Sequence, residues 1–235
     1  MKISVVLPTY NEKENIAGII PQILEQDREI DIIAVDDNSP DGTGKILDSL
    51  ARKFPKRVKV IHRKIRQGVG AAVLNGLREA VKDKADLVIQ MDADYSHNPF
   101  YLGDLIKNTK KADVVVGSRY AKGGSITSRS AWRNFVSRIA NFYNHLFLGV
   151  WGIQDTASGF KCSKREVLET IKLDKFVSTG YSIGIEQLYR VRKRGFKIKE
   201  IPIVFSDRNA GKSKMSLDQV IDYMLTVLRI RLASW

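Results

Sequence analysis

The stretch Ile3-Ser4-Val5-Val6-Leu7-Pro8-Thr9 stands near the start of the chain and decides the class of fold. Its β-branched residues predict a strand over residues 3–7 that stops at Pro8. Apolar residues at helical spacing follow over residues 15–24, and a second β-branched run over residues 30–35 predicts another strand. Two strands separated by a helix favour a parallel pair, because a parallel connection needs a long crossover.

The same alternation runs through the rest of the first half. It predicts helices over residues 43–54, 70–81 and 99–108, and strands over residues 58–61, 87–91 and 114–116. Strands rich in Val and Ile that alternate with helices are typical of a mainly parallel sheet with helices on both faces, so the predicted fold class is α/β. Ligands of such sheets bind at the carboxyl ends of the strands, which is where the unusual residues of this chain fall.

The second half is less regular. Helices are predicted over residues 129–148, 164–171, 183–194 and 217–232, and a strand over residues 197–205. Neither an internal repeat nor a linker divides the sequence. We therefore expect one domain over residues 1–216, with residues 217–235 as a C-terminal amphipathic helix of the same unit that could face a membrane.

The charge of the chain indicates what kind of molecule it binds. The 235 residues carry 39 Lys and Arg against 26 Asp and Glu, and a net charge of +13 favours nucleic acid, a phosphorylated small molecule or an acidic membrane surface. The single cysteine, Cys162, excludes an intrachain disulfide and fits a reducing compartment. The three histidines are far apart in sequence, so no zinc signature is present. No apolar run reaches the ~20 residues that a membrane-spanning helix needs.

Asp92 and Asp94 follow the predicted strand over residues 87–91. At a strand end, residues i and i+2 point the same way, so the two carboxylates repel each other unless a cation lies between them. A hard divalent ion with oxygen ligands fits that position, and Ser96 could add a hydroxyl or a water-mediated contact. The alternative is a solvated loop with two turn-forming aspartates. The strand-end position favours the metal.

Asp36 and Asp37 close another predicted strand, where a carboxylate suits the hydroxyls of a ribose or the edge of a base. The alternative is turn formation and helix capping. The later run Gly68-Val69-Gly70-Ala71-Ala72-Val73 does not match a dinucleotide-binding fingerprint, because Val73 occupies a position that needs Gly or Ala. A phosphate-binding P-loop motif is also absent from the sequence.

Basic residues concentrate over residues 52–66, 119–138 and 208–214. We expect most side chains of the first cluster to be solvated at the surface. In the second, Arg133 and Ser137 lie one turn apart on a predicted helix, a spacing that suits a phosphate. The third cluster is a glycine-containing basic loop whose guanidinium group and lysines suit the phosphate oxygens of a donor.

Together these motifs resemble the family 2 glycosyltransferases of the GT-A fold. The matching residues are Val5-Val6-Leu7-Pro8-Thr9-Tyr10-Asn11-Glu12, Val35-Asp36-Asp37-Asn38-Ser39, Gln67-Gly68, Asn75-Gly76, Asp92-Ala93-Asp94 and Gly117-Ser118-Arg119-Tyr120. Within that family the chain is most similar to the dolichol-phosphate mannosyltransferases, or polyprenyl-phosphate mannose synthases. The closer signs are Tyr95-Ser96-His97, Gly123-Gly124, Asp155 with Ser158-Gly159-Phe160, and Arg208 with Gly211-Lys212-Ser213-Lys214. The resemblance covers about residues 1–216.

The resemblance implies a role for each matching residue. The guanosine part of GDP-mannose would contact Pro8, Tyr10, Glu12, Val35 and Asp37. The diphosphate, the sugar and a Mg²⁺ or Mn²⁺ ion would be held by Asp92, Ala93 and Asp94, with Ser96 beside the ion. The acceptor phosphate would bind Arg119, Arg133 and Ser137, and the donor diphosphate would also contact Arg119, Arg208 and Lys214. Catalysis would rest on Asp92, Asp94, Arg119 and Arg133.

The implied reaction moves mannose, with inversion, from GDP-mannose to dolichyl or another polyprenyl phosphate, giving a β-mannosyl phosphoryl lipid and GDP. A phosphate monoester is largely ionised at neutral pH, so this nucleophile needs no strong general base. We expect a peripheral enzyme on the cytoplasmic face of a membrane, with Phe142, Leu146, Phe147, Val150 and Trp151 at the interface or, alternatively, in the core. A membrane-anchoring subunit is a candidate partner.

Two other functions stay open on the sequence. One keeps the fold and transfers glucose from UDP-glucose to polyprenyl phosphate. The other is a basic nucleic-acid-binding module, which is disfavoured because Asp36, Asp37, Asp92 and Asp94 would face a repulsive phosphate backbone. We expect no nucleic-acid partner.

Overall fold

The computed structural model describes residues 1–127, 131–178, 180–206 and 217–233, without the side chains of residues 131–133 and 217–219. The strands are β1 (Ile3–Thr9), β2 (Ile30–Asp36), β3 (Val58–His62), β4 (Leu87–Gln90), β5 (Val114–Ser118), β6 (Ser125–Thr127), β7 (Lys161–Lys164), β8 (Ile198–Pro202) and β9 (Val204–Ser206). The helices are α1 (Lys13–Gln26), α2 (Thr43–Lys53), α3 (Val69–Lys82), α4 (Leu102–Asn108), α5 (Ala131–Leu148), α6 (Arg165–Thr170), α7 (Ile183–Lys193) and α8 (Leu217–Leu232). Short 3₁₀ turns cover Pro99–Tyr101 and Leu173–Lys175.

Within the described residues, seven strands form the main sheet in the order β3-β2-β1-β4-β7-β5-β8. The pairs β1–β2, β1–β4, β2–β3 and β5–β8 are parallel, whereas β7 runs antiparallel to both of its neighbours. The predicted α/β class with a mainly parallel sheet is confirmed. From β1 the chain continues to β2 and β3 on one side of the sheet, whereas β4 lies on the other side of β1. At such a point, where the order of the strands reverses, a crevice opens at their carboxyl ends.

The predicted elements of the first half are all present, with ends that coincide or shift by at most three residues, and the predicted helix over residues 99–108 begins with a 3₁₀ turn at Pro99–Tyr101. In the second half, the prediction of one strand over residues 197–205 is wrong. That segment divides at Ile203 into β8, which joins the main sheet, and β9, which pairs with β6 in a separate two-stranded sheet. Ile203 is buried and donates its N–H to the Ser118 carbonyl, which anchors the chain where it leaves the sheet.

Apolar side chains from both faces of the sheet form the core. One cluster lies between the sheet and the layer of α1, α2 and α4, and it includes Cys162. The other lies under α3, α6 and α7. On this second face α3 approaches the sheet closely at Gly76, where a Cβ atom would stand 2.3 Å from Val6 Cγ1 and 3.2 Å from Val35 Cγ2.

The close approach at Gly76 predicts that Gly76→Ala lowers the free energy of unfolding by about 1–3 kcal/mol, because the added methyl group overlaps two buried valines. Gly103→Ala is the matched control: Gly103 lies within α4 and a Cβ there meets nothing within 4 Å. The control should be stabilised by roughly 0.5–1 kcal/mol, the helix preference of Ala over Gly. Urea unfolding measures both changes, and equal stabilities would contradict this account of α3 packing.

Candidate functional site

A cleft of about 490 Å³ opens at the carboxyl ends of β1, β2 and β4. The sequence pattern placed its candidate residues at this edge of the sheet, and the structure brings most of the proposed donor-binding residues together there. The cleft is bordered by the predicted residues Pro8, Tyr10, Glu12, Asp37, Asp92, Ala93 and Asp94. Segments from the second half of the chain close the opposite side, among them residues 180–184 and Asp222 with Tyr223 of α8.

Other predicted residues lie elsewhere. Val35 is fully buried in the core, and its side chain packs towards Gly76 rather than the cleft. The side chain of Val35 therefore does not face the cleft, and its predicted contact with the guanosine stays a prediction that would involve its main chain at the end of β2. Arg208 and Lys214 fall outside the described residues, as does the side chain of Arg133, so their roles stay predictions.

The two aspartates after β4 are held in different ways. Asp94 is buried, and its Oδ1 accepts hydrogen bonds from the Ser96 N–H at 3.1 Å and the Ser96 hydroxyl at 2.5 Å. Asp92 has 39% of its side chain exposed. The Asp92 N–H donates to His97 Nδ1 at 3.0 Å, so the ring of His97 fixes the main chain at Asp92.

His97 is itself buried and stacked on Phe160 with 4.9 Å between ring centroids. Burial lowers the pKa of His97, although Asp92 and Asp94 act in the opposite direction. A neutral ring with Nδ1 as acceptor agrees with the hydrogen bond from Asp92. His97 belongs to the motif Tyr95-Ser96-His97 that carries the family resemblance, but its role in supporting Asp92 was not predicted from the sequence.

Ser96 is placed behind Asp94, buried and away from the lining of the cleft. Its hydroxyl donates to the Asp94 carboxylate and so orients that side chain, and its predicted place beside a metal ion stays a prediction. Among the described residues, no cluster of three or more His, Cys, Asp or Glu side chains could enclose an ion. Two carboxylates at a cleft still fit Mg²⁺ or Mn²⁺ chemistry, since Mg²⁺ is usually bound by one or two carboxylates with water and substrate phosphates completing the shell.

Asp37 borders the cleft but has partners within the protein. Its Oδ1 accepts from Arg63 Nη1 at 2.6 Å, and its Oδ2 accepts from the Gly68 N–H at 2.8 Å. The carboxylate therefore fixes the loop between β3 and α3 against the end of β2. Arg63 belongs to the cluster that the sequence analysis took for solvated surface, and its side chain is instead largely buried.

Arg66, from the same loop, lies over the ring of Tyr10 at 3.9 Å from the ring centroid. Both residues border the cleft, so this cation–π pair joins the loop after β1 to the loop after β3 at its mouth. Nothing in the sequence indicated the contact, because it depends on how two distant loops meet.

Arg119 and Ser137 were predicted to bind the acceptor phosphate. Arg119 makes a two-pronged ion pair with Asp155, with both Nε–Oδ2 and Nη2–Oδ1 distances at 2.7 Å. Asp155 is fully buried and also accepts the Arg119 N–H. Ser137 accepts a hydrogen bond of 2.9 Å from the Tyr120 hydroxyl, so the two predicted residues are held near each other by the neighbouring side chain. Neither residue lines the cleft itself.

Lys161, at the start of β7, borders the cleft and was not predicted from the sequence. It is fully buried, and burial lowers the pKa of Lys161 to about 8 although the charges of Asp155 and Asp92 partly oppose that shift. A short polar strand with the sequence Lys-Cys-Ser-Lys has no apolar pattern that would indicate a central strand, so the sequence offered no signal for it.

Comparisons with known proteins agree with this geometry. The Glycosyl transferase family 2 model matches residues 4–172. A polyprenol monophosphomannose synthase from Mycolicibacterium smegmatis is 40% identical over 225 residues, which cover 95% of this chain and 84% of that protein. An undecaprenyl-phosphate mannosyltransferase from Micrococcus luteus is 34% identical over 234 residues, which cover 100% of this chain and 96% of that protein.

A solved structure confirms the fold. Glucosyl-3-phosphoglycerate synthase from Mycobacterium tuberculosis, crystallised with phosphoglyceric acid, matches with a TM-score of 0.72 at 20% sequence identity. The match covers 97% of this chain and 79% of that one. At this level of identity the likeness bears on the fold alone, and the predicted GT-A fold is confirmed by it.

The buried pair of Arg119 and Asp155 predicts that Asp155→Ala lowers the free energy of unfolding by about 3–5 kcal/mol, because the variant leaves a guanidinium group in the interior without its counter-charge. Glu169→Ala is the control: Glu169 is an exposed partner of Arg165 at 3.8 Å, and its removal should cost less than about 1 kcal/mol. Chemical unfolding at neutral pH measures both. If the two variants are equally stable, the pair does not organise the site.

Proposed function

The chain belongs to glycosyl transferase family 2, and we propose that it transfers mannose from GDP-mannose to a polyprenyl phosphate such as dolichyl phosphate. The observation that carries the proposal is the pair Asp92 and Asp94 at the end of β4, where they face the cleft at the carboxyl edge of the sheet. The names of the two relatives, a polyprenol monophosphomannose synthase and an undecaprenyl-phosphate mannosyltransferase, support the sugar and the class of acceptor.

The donor fits the cleft by its chemistry. Tyr10 and Glu12 line the end nearest β1 and suit the nucleoside, whereas Asp92 and Asp94 suit the diphosphate through a Mg²⁺ or Mn²⁺ ion. Such an ion, when bound, would stabilise the negative charge that develops on the departing GDP. The hydrogen bonds from Ser96 hold Asp94 in one orientation. Arg208 and Lys214 are proposed to add positive charge to the same diphosphate.

The acceptor supplies its own nucleophile. A phosphate oxygen attacks the anomeric carbon as the bond from that carbon to the diphosphate oxygen breaks, and the electron pair leaves with GDP. Because the acceptor phosphate is already ionised at neutral pH, no side chain has to remove a proton. Attack from the side opposite the leaving group inverts the α-linked donor into a β-mannosyl phosphate.

Positive charge is needed to bring the two anionic substrates together. We place the acceptor phosphate at Arg119, Arg133 and Ser137, where Ser137 is linked through the Tyr120 hydroxyl to the segment after β5. Arg133 precedes Ser137 by one turn of α5. Arg119 uses two of its five N–H donors on Asp155 in the ion pair, so the guanidinium group keeps hydrogen-bonding capacity for a phosphate.

A lipid acceptor also accounts for the exposed apolar face of α5. Its stripe consists of Phe135, Ile139, Phe142 and Leu146, each at least half exposed and spaced on one face of the helix. α8 lies beside α5, with a Tyr143 hydroxyl bond to the Met224 carbonyl at 3.2 Å, and it adds exposed Ile221, Met224 and Leu225. We propose that this combined face rests on an anionic membrane, with Arg138, Arg229 and Arg231 near the headgroups.

Two findings limit the membrane face. Val150, one of the residues expected either at the interface or in the core, is fully buried, so the core alternative holds for Val150. No helix in the described part of the chain is long and apolar enough to cross a bilayer.

We propose peripheral attachment, on the cytoplasmic face, where a buried free thiol such as Cys162 is compatible with the reducing conditions. We propose a membrane-anchoring subunit as a candidate partner.

The central test is transfer of labelled mannose from GDP-mannose to a short polyprenyl phosphate with and without Mg²⁺ or Mn²⁺. Asp94→Ala should reduce metal-dependent transfer by at least about 100-fold, because the ion loses one of its two protein carboxylates. Asp86→Ala is the control, because Asp86 directly precedes the start of β4 and does not line the cleft, and it should keep normal turnover. Unchanged turnover in Asp94→Ala would remove the metal role, and preference for UDP-glucose over GDP-mannose would overturn the donor assignment.

The acceptor site is tested separately. Arg133→Ala should raise the KM for polyprenyl phosphate by about 10-fold or more while leaving the KM for GDP-mannose nearly unchanged, since a charge-assisted hydrogen bond contributes about 1.5–3 kcal/mol. Steady-state kinetics with each substrate varied in turn measure the two values. An equal change in both would place the acceptor phosphate elsewhere.

The membrane face predicts a change in vesicle binding. The double variant Phe142→Ser with Leu146→Ser should bind anionic phospholipid vesicles at least about 10-fold more weakly, because each large apolar side chain contributes about 1.5–3 kcal/mol when it leaves water. Phe100→Ser is the control, because Phe100 is also exposed but lies outside α5 and α8. A sedimentation assay measures the binding, and equal losses in the variant and the control would contradict the assignment of this face.

A further inference from the structure

Two buried polar atoms at the back of the cleft have no hydrogen-bond partner among the described residues. They are Gln90 Oε1 and Lys161 Nζ. Gln90 is the last residue of β4, Lys161 is the first residue of β7, and the two are directly paired across the antiparallel strands. Side chains of such a pair lie on the same face of the sheet. Both residues border the cleft, and their accessible surfaces are 4% and 0% of the full values.

An unpaired donor and an unpaired acceptor in one buried place are unfavourable in the free protein. A buried polar group without a partner destabilises the folded state, and a buried charge without a partner destabilises it more. The two atoms also do not bond to each other, although an acceptor and an ammonium group on paired positions are well placed to do so. A ligand that offers both a donor and an acceptor would satisfy them together.

Two glycines lie close to this part of the cleft. A Cβ atom at Gly184, in the first turn of α7, would stand 3.2 Å from Lys161 Nζ. A Cβ atom at Gly159 would stand 3.6 Å from both carboxylate oxygens of Asp92. Both glycines border the cleft, so a side chain at either position would occupy the space directly beside Lys161 Nζ or the Asp92 carboxylate.

We propose that Gln90 and Lys161 bind hydroxyl groups of the donor's sugar ring, with Lys161 donating to one hydroxyl oxygen and Gln90 Oε1 accepting from a hydroxyl proton. A hydroxyl group is both a donor and an acceptor, which matches this pair. An ionised phosphate would suit Lys161 but has no proton to give Gln90 Oε1. The pair therefore discriminates in favour of a polyhydroxylated ring over a second phosphate group.

The location agrees with the chemistry. The sugar would lie between Asp92, beside which the diphosphate binds, and the first turn of α7. This inference rests on the proposed function insofar as the donor is a nucleotide sugar. It does not depend on which sugar or which nucleotide the enzyme uses.

The test compares the affinity for a nucleoside diphosphate with the affinity for the corresponding nucleotide sugar. Isothermal titration in the presence of Mn²⁺ is carried out with GDP and GDP-mannose, and with UDP and UDP-glucose, on the full chain. The pair that the wild-type protein binds more tightly is then used for every variant. A preference for the uridine pair would overturn the donor proposed above while leaving the present test intact.

Lys161→Met should weaken binding of the nucleotide sugar by about 10- to 100-fold, the effect of one hydrogen bond to a charged group. Its affinity for the nucleoside diphosphate should change by less than about twofold. Gln90→Leu should show the same selectivity with a smaller loss, and it provides an independent test if Lys161→Met does not fold. Lys164→Met is the matched control: it makes the same change on the same strand, where Lys164 pairs with Asp113 at 2.8 Å.

Three outcomes would overturn the proposal. Equal losses for diphosphate and nucleotide sugar would mean that Lys161 acts on the diphosphate or on the structure. No loss for either ligand in both Lys161→Met and Gln90→Leu would mean that buried water satisfies the two atoms. A loss in Lys164→Met equal to that in Lys161→Met would mean that the effect is not specific to the cleft.

A stability measurement separates binding from folding. Because Lys161 is a buried charge without a partner among the described residues, Lys161→Met should melt at the same temperature as the wild-type protein or higher. A residue that only supports the fold would lower the melting temperature when replaced. A clear decrease, together with equal losses of both ligands, would assign Lys161 to the structure and not to the sugar.

Discussion

Neutralisation of carboxylates buried at the carboxyl edge of the sheet is the constraint on which the rest of the site depends. A carboxylate withdrawn from water is stable only beside an opposite charge or several donors. Asp37 has Arg63 and the Gly68 N–H, and Asp155 has Arg119. Each pair joins loops that are distant in sequence, so the interactions that neutralise charge also fix the backbone around the cleft.

The antiparallel strand β7 gives the cleft its second side. Because β7 runs against its neighbours, its first residue lies at the edge where β4 ends, and Lys161 is paired with Gln90 for that reason. The segment leading into β7 carries Asp155 and Gly159 to the same edge. A wholly parallel sheet would place the start of that strand at the opposite edge, far from Asp92.

A lipid phosphate needs a polar site for its anionic head and an apolar surface for its hydrocarbon tail, and helix α5 contributes to both. Ser137 on this helix is hydrogen-bonded to Tyr120 beside Arg119, whereas Phe142 and Leu146 are exposed on the face that we propose for the membrane. α8 supports α5 from one side through Tyr223 and the Met224 carbonyl. An acceptor with an anionic head and a hydrocarbon tail could therefore present both parts to one element.

The sequence by itself determined the α/β class and the position of the candidate site, because β-branched runs and helical spacing report local geometry and parallel strands end at one edge. It could not reveal β7, whose polar residues lack a strand pattern, or the burial of Val35 and Val150. The pairing of Arg63 with Asp37 and of Arg119 with Asp155 joins residues 26 and 36 positions apart. Only the tertiary structure decided those partners, since side chains so distant in sequence meet only after the sheet has been assembled.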